Sequence, residues 1–202
     1  DDVTLHNLWL YRAGHSSYKA IIGVPMGGGW TDYEIVTRSL TVTNCLVEGG
    51  RYGMYVSVEN MTVRDTIFKD PYRNAIVTAG ISGTTVIDHN CFMGTADTER
   101  AVYMTTGSGK PYDRGTLIIT HNTHTGGGHL FVVDYWGWDG ANPLALEIGH
   151  NSVDQIGGDK GIVFYVAYVD DPSGFDKFSL IDIHDNIFSN CGPAVYVDYE
   201  DW

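Results

Sequence analysis

Positive charge is scarce in this chain: 12 Lys and Arg stand against 25 Asp and Glu in 202 residues, a formal net charge of -13. Proteins that dock on nucleic-acid phosphates or on an anionic membrane do so through a surplus of Lys and Arg, so neither is expected as a partner. Cysteine is scarce as well, and three cysteines cannot all pair internally. Cys45 and Cys91 fall two repeats apart, roughly 10 Å at ordinary strand spacing and too far for a disulfide, so the cysteines read as buried thiols. Nothing approaches the ~20 consecutive apolar residues of a membrane span, and no charged-then-apolar leader is present. No window repeats an apolar face at helical spacing over three turns, which argues against helices. Methionine is missing at position 1, where Asp1 stands; the expectation is a processed product or a piece of a longer chain.

Against these shortages the chain holds 25 glycines and many Val, Ile, Thr and Tyr, the composition of short strands joined by tight turns. A hydrophobic fraction of 43% with 18% charged residues is that of a folded globular chain able to bury a core as one domain over 1–202. The strands come in repeats. Leu5-His6-Asn7-Leu8-Trp9, Val42-Thr43-Asn44-Cys45-Leu46, Val63-Arg64-Asp65-Thr66-Ile67, Ile87-Asp88-His89-Asn90-Cys91, Ile119-Thr120-His121-Asn122-Thr123, Ile148-Gly149-His150-Asn151-Ser152 and Ile183-His184-Asp185-Asn186-Ile187 follow one plan. After each comes a loop of variable length and another apolar strand, at 20–24, 53–57, 75–79, 101–105, 130–134, 161–165 and 194–198, so three strands and three turns are expected per repeat.

A unit of this kind has one apolar row and cannot bury it alone; stacking the units buries a continuous core. The expected fold is all-β: a single-stranded right-handed parallel β-helix of about seven rungs, complete or part of a longer solenoid. The repeats resemble the right-handed parallel β-helix superfamily of pectate-lyase-like proteins, in its generic parallel β-helix repeats, along essentially the whole chain. Asn90, Asn122, Asn151 and Asn186 share one turn position, where a residue tolerant of left-handed backbone would hydrogen-bond to the rungs above and below. His89, His121 and His150 share the preceding column. Side chains stacked in parallel at ~4.8 Å do not converge on a metal, so they are expected to form a solvent-edge stack beside the asparagines.

The individual features lie in the loops, of which 25–34, 106–114, 136–143 and 168–175 leave the end of the same strand and should cluster on one face, the usual place of a binding surface. With Val102 and Met104 inward, alternation sends Tyr55, Tyr103, Tyr165 and Tyr196 outward onto one exposed sheet. Lys19, Arg51, Arg73, Arg100, His129 and Lys160 form a basic row just before it. With Trp136 and Trp138 on the loops, this describes a groove of aromatic platforms and cationic clamps for a polysaccharide, including one bearing carboxylates, because sugar faces stack on aromatics and Arg reads carboxylate through two hydrogen bonds. A solvated tyrosine face whose bases neutralise nearby acids is the plainer alternative.

Two reactions compete for such a groove. A uronate lyase needs a base for the proton next to the carboxylate and a cation for the developing charge, roles open to Arg100, His129 and Lys160. The superfamily resemblance implies a Lys or Arg there with a calcium ion held by acids, and Asp134, Asp139, Asp170 and Asp171 are the nearest. An inverting hydrolase would use Asp134 and Asp198, in one outward column two repeats apart and near the ~6.5–9.5 Å window of such pairs. The Asn-Thr-Asp, Asp-Asp and Gly-His-Gly signatures of β-helix polygalacturonases are absent. Asp70-Pro71-Tyr72 matches two residues of the Asp-Pro-His of β-helix alginate epimerases and lacks the histidine. Seven repeats without a polar cap also fit a non-catalytic glycan-binding module, or a structural solenoid that stacks end to end. An extracellular or cell-surface location goes with all of these readings.

Overall fold

The computed structural model describes residues 1–12, 20–23, 37–94, 100–106, 115–135, 144–154, 164–167, 178–192 and 195–197. Among them there is no helix, and the chain is all-β with every paired strand parallel to its neighbour. Pairing follows a three-strand cycle. A first stack holds Asp2–His6, Thr37–Thr43, the second half of Tyr52–Arg64, Thr84–Asp88, Thr116–Thr120, Leu144–Gly149 and Phe178–His184. A second holds Trp9–Arg12, Leu46–Gly49, Ile67–Lys69, Cys91–Met93, Thr123–Thr125, Ser152–Asp154 and Ile187–Ser189. The third holds Ala20–Gly23, the first half of Tyr52–Arg64, Asn74–Ile81, Arg100–Thr106, His129–Tyr135, Phe164–Ala167 and Val195–Val197. The three strands expected per repeat are all found. One turn is not, because Tyr52–Arg64 runs unbroken from the third stack into the first, bending at a register shift between Val56 and Val58.

The core explains why these segments are strands. In the first stack Leu40 and Val42, Met61 and Val63, Thr85 and Ile87, Leu117 and Ile119, and Leu146 and Ile148 point inward in successive rungs, all buried, while the residues between them are more exposed. That alternation of period two is the strand signal of the sequence. The second stack contributes one inward residue per rung: Val47, Phe68, Phe92, His124 and Val153. Phe68 and Phe92 stack with ring centroids 5.3 Å apart. Met54, Ile76, Val102 and Phe131 close the core from the third stack.

Between the first and second stacks the chain turns on two residues, and they divide the work differently from expectation. The left-handed residue is Asn7, Asn44, Asp65, His89, His121, His150 or Asp185, with φ between 50 and 56°. Asn, Asp and His are the non-glycine residues most enriched there. The asparagine that follows points inward in ordinary backbone geometry. Left-handed backbone thus belongs to the histidine column, and the asparagines supply only the ladder. The Asn122 amide donates to Ile87 O at 2.9 Å and to Asn151 Oδ1 at 3.0 Å, and the same pattern links Asn90 to Asn122 and Asn151 to Asn186. The three cysteines form no disulfide; Cys45 is buried, whereas Cys191 is half-buried, as is Cys91, which stands one position past the ladder column, opposite Ile67.

Candidate functional site

The third stack carries the residues the sequence singled out, in a partly different register. Tyr55 pairs with Val77, Val77 with Tyr103, Tyr103 with Val132, Val132 with Tyr165, and Tyr165 with Tyr196. The four tyrosines therefore share one column. Tyr165 stands opposite Val132 and not opposite Asp134 as the repeat alignment implied; Asp134 pairs with Ala167. The basic row is staggered. Arg73 N donates to Arg51 O, placing those two arginines side by side, whereas Arg100 is opposite Asn74 and His129.

The sheet face carrying the tyrosines is not the exposed surface expected. Val77 and Val132 point away from the core by strand alternation, yet they are 1% and 0% exposed. Ser57, two residues beyond Tyr55, is buried too, and Tyr55 and Tyr103 are half-buried. At these rungs the face is more covered than an open sheet, with the tyrosines left partly accessible. Half-buried cations meet aromatic rings here: the Arg100 guanidinium lies 4.5 Å from the Tyr103 ring centroid and that of Arg51 lies 5.7 Å from the Tyr52 centroid, while Tyr52 meets Tyr55 edge to face at 5.4 Å. Stacking of this kind fixes the orientation of the planar guanidinium against the ring.

One residue the sequence did not flag sits among them. Asn74 lies between Tyr52 and Arg100 in register, and its Oδ1 is buried with no hydrogen-bond partner among the described residues. A buried amide oxygen left unpaired is costly and uncommon in folded proteins. Its only sequence signal was its place directly after Arg73. Tyr55, Arg73, Arg100, Tyr103 and His129 are thus gathered on adjacent rungs, and Asp134, Tyr165 and Tyr196 are placed by register alone. Lys160, Asp198, Trp136, Trp138, Asp139, Asp170 and Asp171 lie outside the described residues, as does Lys19, so the catalytic pairing and the acidic calcium set are not assembled among them. Asp70, of the Asp70-Pro71-Tyr72 stretch, is a left-handed turn residue with φ 49° whose N–H donates to Met93 O at 2.8 Å.

The histidine column is a true stack. His89 and His121 lie 4.7 Å apart and His121 and His150 5.0 Å apart, both pairs within 13° of parallel. The histidines are not bystanders, however, since Nδ1 of His89 and of His121 lie 2.9 and 3.1 Å from the Asp88 carboxylate. Asp88 also accepts from Thr120 Oγ1 at 2.9 Å and from Arg64 Nη2 at 2.6 Å. Burial of Asp88 disfavours its charge, but these donors outweigh it and hold the carboxyl down at about 2. Within the second stack His124 is almost fully buried between Phe92 and Val153, and desolvation lowers its pKa to about 4 despite Nε2 lying 3.4 Å from Gly128 O.

Fold and geometry together define an all-β chain of stacked parallel strands with a cation–aromatic strip on one stack. Comparison with protein-family models, with curated proteins and with solved structures gives no match to this chain.

Proposed function

We propose that the stacked strands form a right-handed parallel β-helix of the pectate-lyase-like kind and that the third stack binds a polysaccharide bearing uronate carboxylates. One observation carries this reading: Arg100 held over Tyr103 at 4.5 Å, beside Arg73, His129 and the Asn74 oxygen that has no partner among the described residues, on the stack whose strands lead into the long loops. A guanidinium fork suits a carboxylate, aromatic rings suit sugar faces, and a buried amide oxygen suits a sugar hydroxyl. Lyase-type β-elimination is favoured over inverting hydrolysis, because cations outnumber carboxylates among the described residues of this strip. In that reaction a base takes the proton next to the uronate carboxylate. The glycosidic C–O bond then breaks as a carbon–carbon double bond forms, and Arg100 offsets the developing charge. Calcium, if the reaction uses it, would be held by Asp134 with Asp139, Asp170 and Asp171. Such a protein works on glycans outside the cell or at its surface.

The test is a panel of polyuronates and neutral glycans assayed for binding and for the absorbance of unsaturated product, with Arg100→Ala and Lys160→Ala alongside. Product that disappears in either variant supports the lyase; binding without product moves the reading to a glycan-binding module; neither binding nor product removes it.

A second reading, a non-catalytic β-helix that associates end to end, draws on a different observation. Among the described residues the largest apolar exposures fall on the first and last rungs: Trp9 70%, Tyr11 62%, Ile187 67% and Leu180 54%. Among the described residues, the strands of those rungs pair on one side only. Open parallel edges with apolar ends recruit further strands. Light scattering across a concentration series tests it, and a monomer at the highest concentration counts against it.

A further inference from the structure

Parallel imidazoles cannot share an ion, but the histidine stack ends on one that is not parallel. His184 does not continue the column of His89, His121 and His150; it occupies the preceding position, opposite Gly149. Its ring stands at 87° to that of His150 with centroids 5.0 Å apart. Gly149 makes this possible, since a Cβ built there would lie 2.5 Å from Cε1 and 2.6 Å from Nε2 of His184. The ring fills the space a side chain would take. Asp185, which does belong to the left-handed column, brings its Oδ2 to 3.1 Å from His184 Nδ1 and 3.9 Å from His150 Nε2. One donor atom from each of these three residues falls within 4.8 Å of the other two.

We propose that His150, His184 and Asp185 bind a divalent transition-metal ion that clips the last two rungs together. Two imidazoles and a carboxylate are a borderline donor set suited to zinc, cobalt or nickel, and all three side chains are solvent-accessible, which leaves the remaining positions to water. His150 lies on the sixth rung and the other two on the seventh, so one ion spans both.

A second trio, Asp88 with His89 and His121, meets the same distance test but not the same chemistry. Arg64 donates to Asp88 Oδ2 from Nε at 3.0 Å and from Nη2 at 2.6 Å, and Thr120 occupies Oδ1. A dication there would face a guanidinium and displace its bonds. Around His184 the further charged neighbours are acidic: Glu147 Oε1 is 3.7 Å from Nε2, and Asp182 acts on the ring through its charge. The local field therefore favours a cation at His150, His184 and Asp185 and opposes one at Asp88, His89 and His121.

The full chain, stripped with chelator, is titrated with Zn(II) by calorimetry and with Co(II) by visible absorption, with melting temperature recorded at each step. One ion per chain is expected, with a rise in melting temperature because the ion binds the folded chain. His150→Ala, His184→Ala and Asp185→Asn should each weaken binding about tenfold or more, and Gly149→Ala should do so by displacing the His184 ring without removing a donor. His89→Ala should leave binding unchanged. Absence of binding, binding that survives His184→Ala, or binding lost in His89→Ala overturns the proposal. His150 and Asp185 are exposed and His184 half-buried, and circular dichroism of each variant separates lost ligation from lost fold.

Discussion

The side-chain oxygen of Asn122 accepts two hydrogen bonds from Asn90, one from the backbone N–H at 2.9 Å and one from the amide at 3.1 Å. Its own amide donates twice, to Ile87 O and to Asn151 Oδ1, and the residue is 1% exposed. Every polar atom of a buried amide is thus paired, across three rungs. Asn122→Ala would leave a backbone N–H and a carbonyl buried without partners, at about 1–3 kcal/mol each. We expect a loss of roughly 3 kcal/mol in urea denaturation, and a smaller loss for Asn186→Ala, where the ladder ends and the residue is half-buried. Equal losses at the two positions would contradict the ladder's cooperative role.

Asp88 gathers one Arg, one Thr and two His around a buried carboxylate. Its pKa is lowered on folding, so the stability it adds is present above its ordinary value near 4 and is lost as pH falls toward about 2. Asp88→Asn should remove that acid-range dependence and cost about 2 kcal/mol near neutral pH, read as a shifted midpoint in denaturant.

His124 works in the same direction but in another pH window. Its folded pKa, about 4, lies below the 6.5 of a solvated imidazole. Between these values the unfolded chain takes up a proton that the folded chain refuses. Stability therefore falls as pH drops from about 6.5 to about 4, by roughly 3 kcal/mol, and this contribution is flat below. His124→Leu, a side chain of the kind that fills the same column at Phe92 and Val153, should abolish the slope in that window. A slope that persists in the variant would show that another group carries it.

The repeat was legible because one turn imposes the same demand in every rung: residues such as Val63, Ile87 and Ile119 must be buried, and the second and third residues after them must turn the chain. Alignment on that demand placed Asn7, Asn44, Asp65 and His89 in one column, which is the left-handed column. The histidines' part in it was misread because the asparagine beside them is the more familiar left-handed residue, although His89 stood where Asn7 and Asp65 stand. The third stack was less legible. Strand alternation gives the direction of Val77 and Val132 from the core but says nothing of what covers them, and loops of unequal length hide the register, so Tyr165 was placed two residues away from its partner Val132. Gly149 could not be read at all: its reason is the ring of His184, 35 residues along in sequence.

Arg100 is the residue on which the functional account rests most heavily. Calorimetric titration of the chain with an oligouronate, against Arg100→Ala and Arg100→Lys at matched melting temperature, tests it most directly. The account predicts binding that weakens about tenfold or more in Arg100→Ala and is only partly restored by Lys, which keeps the charge but loses the fork. Binding of equal strength in all three proteins, or none to any polyuronate, would contradict it.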